Sequence, residues 1–171
     1  SSTQYIKIQN ERSIETALYL SDGFYLSENL RIEVGLRTSM FNRIGPGTVY
    51  QYDPQKPVEL NNVVDSVTYK SGDIMKTYTG LEPRFSGQYT LDEFSSIKFG
   101  YNRMFQYIHL VTNTAAIAPV DIWQSSNVYF KPQIADQFSV GYFRTLKENT
   151  YEAFADFFYK TVENTLDFKD G

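Results

Sequence analysis

Residues 95–107 read Ser-Ser-Ile-Lys-Phe-Gly-Tyr-Asn-Arg-Met-Phe-Gln-Tyr, and this stretch decides the fold. Ile97, Phe99, Tyr101, Phe105 and Tyr107 fall on one parity; Lys98, Gly100, Asn102, Met104 and Gln106 fall on the other. Successive strand side chains point to opposite faces, so a period of two predicts a strand with one aromatic, apolar face and one mostly polar face. The pattern returns at Phe138, Val140 and Tyr142, which oppose Gln137, Ser139, Gly141 and Thr145. Between these two strands runs a long irregular connection that carries the only tryptophan, Trp123.

Working outward, the same alternation recurs along the chain. Residues 4–9 predict a short strand. Ile14, Thr16, Leu18, Leu20, Phe24 and Leu26 then oppose Ser13, Glu15, Ala17, Tyr19, Ser21 and Tyr25. After a tight turn at 27–29, Leu30, Ile32, Val34, Leu36 and Met40 alternate with Arg31, Glu33, Gly35, Arg37 and Ser39. From 43 to 78 the pattern breaks at Gly45-Pro46-Gly47, Asp53-Pro54, Lys56-Pro57 and Ser71-Gly72-Asp73, although alternation in 63–69 predicts a hairpin inside it. Leu81, Pro83, Phe85, Tyr89 and Leu91 oppose Glu82, Arg84, Ser86, Gln88 and Thr90; Pro83 implies a bulge, a strand end or an unpaired position. Past a turn at 147–149, Tyr151, Ala153, Ala155, Phe157 and Tyr159 oppose Glu152, Phe154, Asp156, Phe158 and Lys160.

Connection lengths alternate: short at 27–29, long at 43–78, short at 92–94, long at 111–135, short at 147–149. Antiparallel neighbours would then carry every tight turn at one end and every long loop at the other. Outer-membrane barrels have this asymmetry. The strands also exceed the usual globular length, and a tilted barrel strand needs about 9–11 residues to cross a bilayer. The competing reading is a soluble β-sandwich, such as a carbohydrate-binding module, whose polar faces meet water.

Composition narrows the function. Aromatics make up 16% of the 171 residues, with 14 Tyr and 13 Phe, which suits sheets with exposed aromatic faces. Mean hydropathy is −0.40 and no window approaches a membrane-spanning helix, yet barrel strands are only half apolar. With no cysteine there is no disulfide or thiolate site. A net charge of −4 without a basic run argues against nucleic acid. The single histidine, His109, has no second histidine or cysteine to share a metal, the loop carboxylates Asp65, Asp73, Asp121 and Asp136 lack calcium-loop spacing, and no nucleophile elbow occurs. No enzyme, metal or cofactor is expected. The chain reads as one segment, 1–171, without signal peptide or terminal cap, and is expected to be a piece of a longer protein.

Ser96-Ile-Lys-Phe-Gly-Tyr-Asn-Arg103, Gln106-Tyr-Ile-His-Leu110, Pro119-Val-Asp-Ile-Trp123, Lys131-Pro-Gln-Ile-Ala-Asp-Gln137 and Gly141-Tyr-Phe-Arg144 follow one another in a fixed order. With Glu15-Thr-Ala-Leu-Tyr-Leu20, Gly35-Leu-Arg37, Gly80-Leu-Glu-Pro-Arg84, Phe158-Tyr-Lys160 and Asp167-Phe-Lys-Asp-Gly171, they resemble the barrel region of TonB-dependent outer-membrane receptors, those of Bacteroidota most closely. The resemblance implies part of a barrel of about 22 strands in the outer membrane of a Gram-negative bacterium. It also implies active uptake of a scarce solute, a plug domain, the TonB complex, surrounding outer-membrane lipid and a surface lipoprotein partner. Plug and TonB box match nothing in this sequence.

Two groups of candidate residues follow. Arg31, Glu33, Arg37, Glu82, Arg84, Lys98, Glu152, Asp156 and Lys160 share the expected inner face, as a paired, hydrated wall against the plug or as a solute path. Tyr50, Tyr52, Asp121, Trp123 and Tyr129 lie in the long loops, where recognition usually resides. Trp123 could equally pack between loops or at the membrane interface. Strict alternation puts Arg103 and Arg144 on the lipid side, so each must lie near an interface, above the membrane or beyond a bulge. Leu30, Ile32, Val34, Leu36, Phe85, Tyr89, Phe99, Tyr101, Val140, Tyr142, Phe157 and Tyr159 should form one outward apolar band. Charge should be harmful there and tolerated at Ser39 or Gln88.

Overall fold

The alternation is realised as strands throughout a computed structural model, which describes residues 11–57, 59–112, 121–146 and 150–166. In chain order the strands are β1 (Arg12–Ser27), β2 (Leu30–Ile44), β3 (Gly47–Tyr52), β4 (Val63–Tyr69), β5 (Ile74–Asp92), β6 (Ser95–Gln106), β7 (Ile108–Thr112), β8 (Asp121–Ser125), β9 (Gln133–Leu146) and β10 (Tyr151–Glu163). Six long strands form one antiparallel sheet in the order β1-β2-β5-β6-β9-β10, while β3-β4 and β7-β8 are separate two-stranded hairpins. The expected strand at 4–9 and the turn at 147–149 lie outside the described residues.

Both hairpins interrupt the meander at the same end of the sheet: one between Ile44 and Ile74, the other between Gln106 and Gln133. At the opposite end the turns are tight and braced by neighbouring strands. Thr90 N–H donates to the Asn29 carbonyl at 2.8 Å, and Thr145 N–H donates to that of Phe94 at 2.8 Å. The Asp92 carboxylate accepts from Phe94 N–H at 2.8 Å and Ser95 Oγ at 2.9 Å. The strands run longer than the alternation predicted: β2 continues to Ile44 and β5 starts at Ile74 rather than 81. On these extensions Asn42 and Thr77 occupy the outward parity and hydrogen-bond at 2.7 Å, so no apolar period marks the strand.

Register places the expected outward band on one face. Val34 pairs with Phe85, Phe85 with Tyr101, Tyr101 with Phe138 and Phe138 with Tyr159, so one side of the sheet carries a continuous aromatic and aliphatic row. Phe85 and Phe99 rings lie 5.8 Å apart, and Tyr101 and Phe138 rings 4.7 Å. Gly87 is required here, because the Phe99 ring occupies the space a Cβ would take.

The band ends in polar pairs. Arg103 grips Asp136 with Nε and Nη2, each at 2.8 Å, and Tyr101 Oη donates to the same carboxylate at 2.7 Å. From Ser95 to Arg103 a strand climbs about 20 Å at ~3.3 Å per residue and a tilt near 40°, close to the upper edge of an apolar band about 25 Å tall. Arg144 sits by the tight turns, paired with Ser95 and within 3.4 Å of the Tyr142 hydroxyl. Both arginines are thus at the two margins of the band.

The alternation fails from Phe105 onward. Phe105 and Tyr107 do not continue the outward face: Tyr107 is 2% exposed and stacks at 5.0 Å on Phe41, an inward residue of β2. The cause is a split in the sheet. Pairing of β5 with β6 ends at Arg84 and Asn102, next to Pro83, whose missing N–H cannot extend the ladder. Above that point β5 stays with β2, and β6 stays with β9. Phe105 and Tyr107 fold into the opening against Gly80, where a Cβ would meet both rings and Ser39. Phe41, Tyr107 and Val49 are the buried apolar residues among those described, so among these residues the packed core lies at the loop end and not over the sheet.

Candidate functional site

All nine charged candidates share one face of the sheet, opposite the apolar band; on the barrel reading this is the inner face. The register row Arg31, Gln88, Lys98, Gly141, Asp156 crosses β2, β5, β6, β9 and β10; the row Glu33, Ser86, Gly100, Ser139, Phe158 follows it on the same face, and then the row Gly35, Arg84, Asn102, Gln137, Lys160. Arg37 lies between Glu82, which it meets at 2.5 Å, and Glu15, at 3.0 Å. Glu82 is 1% exposed and also accepts from Ser39 Oγ at 2.9 Å. Three of the other four basic groups rest on aromatic rings instead: Arg31 on Tyr25 at 6.0 Å, Arg84 on Tyr19 at 5.9 Å, Lys98 on Phe143 at 4.4 Å. Glu33, Glu152, Asp156 and Lys160 make no ion pair among the described residues. Phe154 stacks with Phe143 at 6.1 Å, and Phe158 lies on the same face, so the inner wall is aromatic as well as charged.

Ser39 belongs to this buried set rather than to an exposed wall. Its hydroxyl lies 2.7 Å from that of Tyr107 and hydrogen-bonds Glu82, and the residue is 2% exposed. A charge at Ser39 would be placed against Glu82 without water, so the tolerance expected from alternation does not hold there; Gln88 is exposed.

The loop candidates are only partly gathered. Tyr129 Oη accepts from Tyr50 N–H at 2.7 Å and donates to the Tyr50 carbonyl at 2.8 Å, tying the second excursion to the first. The Tyr52 ring meets that of Tyr129 edge-on at 6.2 Å. Asn127 holds this segment: its Oδ1 accepts from Tyr129 N–H and Phe130 N–H, and its carbonyl accepts from Tyr78 Oη. Trp123 stands on β8 opposite Leu110 and is 67% exposed, without a ring partner among the described residues. Asp121 opens β8 opposite Thr112.

Alternation missed the residues that fasten the β7-β8 hairpin. Ser126 N–H donates to the Tyr107 carbonyl at 2.7 Å, and Ser126 Oγ lies 3.1 Å from His109 Nε2. Glu11 accepts from Ser125 N–H, Ser125 Oγ and Gln124 Nε2 and pairs with Arg43 at 3.2 Å. These contacts join residues 17 to 114 positions apart, so no local pattern announces them.

His109 is 1% exposed and its Nδ1 has no hydrogen-bond partner among the described residues; burial holds its pKa below the usual value. Between the unfolded pKa near 6.5 and the lower folded one, the unfolded segment binds the proton that the folded hairpin refuses. Stability of the hairpin base therefore falls as pH drops below about 6.5. Amide protection at 107–112 and 121–126 in the full-length receptor, measured as exchange corrected for the intrinsic pH dependence of each amide, should fall on acidification, and His109→Gln should flatten that fall. Protection in the native protein that does not change between about pH 7.5 and pH 5.5 would refute it.

A long-stranded antiparallel meander with one apolar face, one charged and aromatic face, and both excursions at one end is a section of transmembrane β-barrel wall. Among the described residues no helix is long and apolar enough to cross a membrane, a finding that leaves barrel strands untouched, and no group of metal-binding side chains occurs. Residues 2–171 match the family described as TonB dependent receptor-like, beta-barrel, and the chain belongs to that family. No curated protein and no solved structure matches it. The family comprises outer-membrane receptors and transporters of Gram-negative bacteria, which are not enzymes and which act with TonB and a plug domain.

Proposed function

We propose that this chain is a wall section of a receptor, of the Bacteroidota type, that takes up a scarce solute through a plugged barrel of about 22 strands in the outer membrane. The observation that carries the reading is the two-faced sheet: a lipid-suited band on one side and, on the other, Arg31, Glu33, Arg37, Glu82, Arg84, Lys98, Glu152, Asp156 and Lys160. A soluble carbohydrate-binding sandwich would need a second sheet over that apolar band, and the described residues contain none.

In this reading the charged face looks into the lumen and meets the plug, while Tyr50, Tyr52, Asp121, Trp123 and Tyr129 contact solute or a surface lipoprotein from outside. The Tyr50–Tyr129 bonds fix one aromatic ring before any ligand arrives, which lowers the ordering cost of binding. Trp123→Ala in the full-length receptor tests this. Solute capture from the native growth medium should fall while surface abundance stays normal. Reduced abundance with unchanged capture per molecule would mean that Trp123 only supports its hairpin.

A further inference from the structure

At the loop end of the inner face, where β1 and β9 begin, β6 passes into β7 and β10 finishes, lies a cavity of about 450 Å³. This is the size of a small-molecule site. Phe105, Tyr107, Ile108 and Val162 supply apolar lining, and Glu15 and Lys160 line it too.

One wall is rigid. Tyr107 is clamped between Phe41 at 5.0 Å and Ser39 at 2.7 Å, and its carbonyl is held by Ser126, so this buried ring anchors the segment that carries Phe105 and Ile108. The charges are unequal in availability. Glu15 already binds Arg37 at 3.0 Å, whereas Lys160, the only basic residue of the lining, has no ion-pair partner among the described residues. The cavity therefore offers one uncommitted ammonium beside packed ring and aliphatic surface.

An apolar path leads out of it. Ile108 lines the cavity; Leu110 follows on the same side of β7 and is cross-strand to Trp123. Side chains two apart share a strand face, so Ile108, Leu110 and Trp123 form an exposed ladder from the cavity toward the tip of the hairpin.

We propose that this cavity binds an amphipathic anion: a carboxylate, sulfonate or phosphate at Lys160, with an apolar ring against Phe105 and Ile108. The ladder ending at Trp123 is its approach. The biological role rests on the uptake reading above, but the site itself does not require transport.

The test uses the purified full-length receptor in detergent without TonB, titrated by calorimetry with 1-naphthaleneacetate and its neutral amide. The acid should bind more tightly, and added salt should weaken the acid alone. Lys160→Gln should lower affinity for the acid about tenfold, the scale of one charge-assisted hydrogen bond, and leave the amide unchanged. Lys70→Gln, an equal change of net charge on an exposed loop, should alter neither. Leu110→Ser should weaken both probes alike. Equal affinity for acid and amide, or a Lys160→Gln receptor that keeps their ratio, overturns the proposal. Energised uptake in cells is measured separately, so loss of TonB-dependent accumulation with acid binding intact would count against the transport reading and not against this site.

Discussion

Phe99→Arg or Val34→Arg in the full-length receptor is expected to abolish most outer-membrane assembly, while a charge of either sign at Gln88 leaves it near normal. Phe99 and Val34 lie on the apolar face, each four residues above its tight turn, which places them about 10 Å into a band about 25 Å tall. An arginine near that depth costs about 2–4 kcal/mol. Phe99 carries an additional loss, because its ring packs on Phe85 and covers Gly87. Gln88 sits on the opposite face between Arg31 and Lys98. The heat-modifiable, folded fraction in isolated outer membranes measures the difference. Equal losses at Gln88 and Phe99 would mean that the two faces have been assigned wrongly. Arg103→Ala provides a graded comparison: it leaves Asp136 with Tyr101 alone at the band's margin, and its effect should be smaller because water and headgroups reach that level.

Glu82→Ala is expected to be the most damaging change on the inner face. The carboxylate is 1% exposed and serves Arg37 and Ser39 together, so its removal leaves a guanidinium and a hydroxyl short of acceptors at the base of the Tyr107 clamp. Breaking a buried pair from one side costs about 3–5 kcal/mol, and the lower end applies because Arg37 keeps Glu15 and part of its surface meets water. Thermal unfolding of the purified receptor should show a clear drop for Glu82→Ala. The double variant Arg37→Met/Glu82→Leu should recover much of it, since both charges then leave together. Strict additivity of the two single changes would show that Arg37 and Glu82 do not act as a pair. Glu152→Ala, on an exposed side chain with no ion pair among the described residues, should fall within the small range usual for surface positions.

The sheet was legible because lipid imposes a rule on every second residue. From Leu30 to Leu36 and from Ile97 to Tyr101 the outward positions must be apolar and the inward ones need not be, so period, strand, face and the position of the tight turns can all be read along the chain. The rule lapses where lipid ends. Asn42, Thr77 and Thr79 are strand residues without an apolar outward period, which is why the strands extend further than alternation indicated and the excursions are shorter.

Local sequence determined the architecture, the six-strand order and the parity that places the nine charged residues on the face opposite the apolar band. Tertiary structure alone decided which of those charges is buried, that three basic groups rest on aromatic rings, and that Tyr107 turns inward across the split between β5 and β6. Ser39 and Glu82 are 43 positions apart and Tyr107 lies 68 from Ser39, so their association depends on where three strands pass one another and not on any spacing within one strand. Alternation specifies a side chain's face; burial depends on what the rest of the chain brings against that face, and here Pro83 and Gly80 opened the gap that two aromatic rings fill.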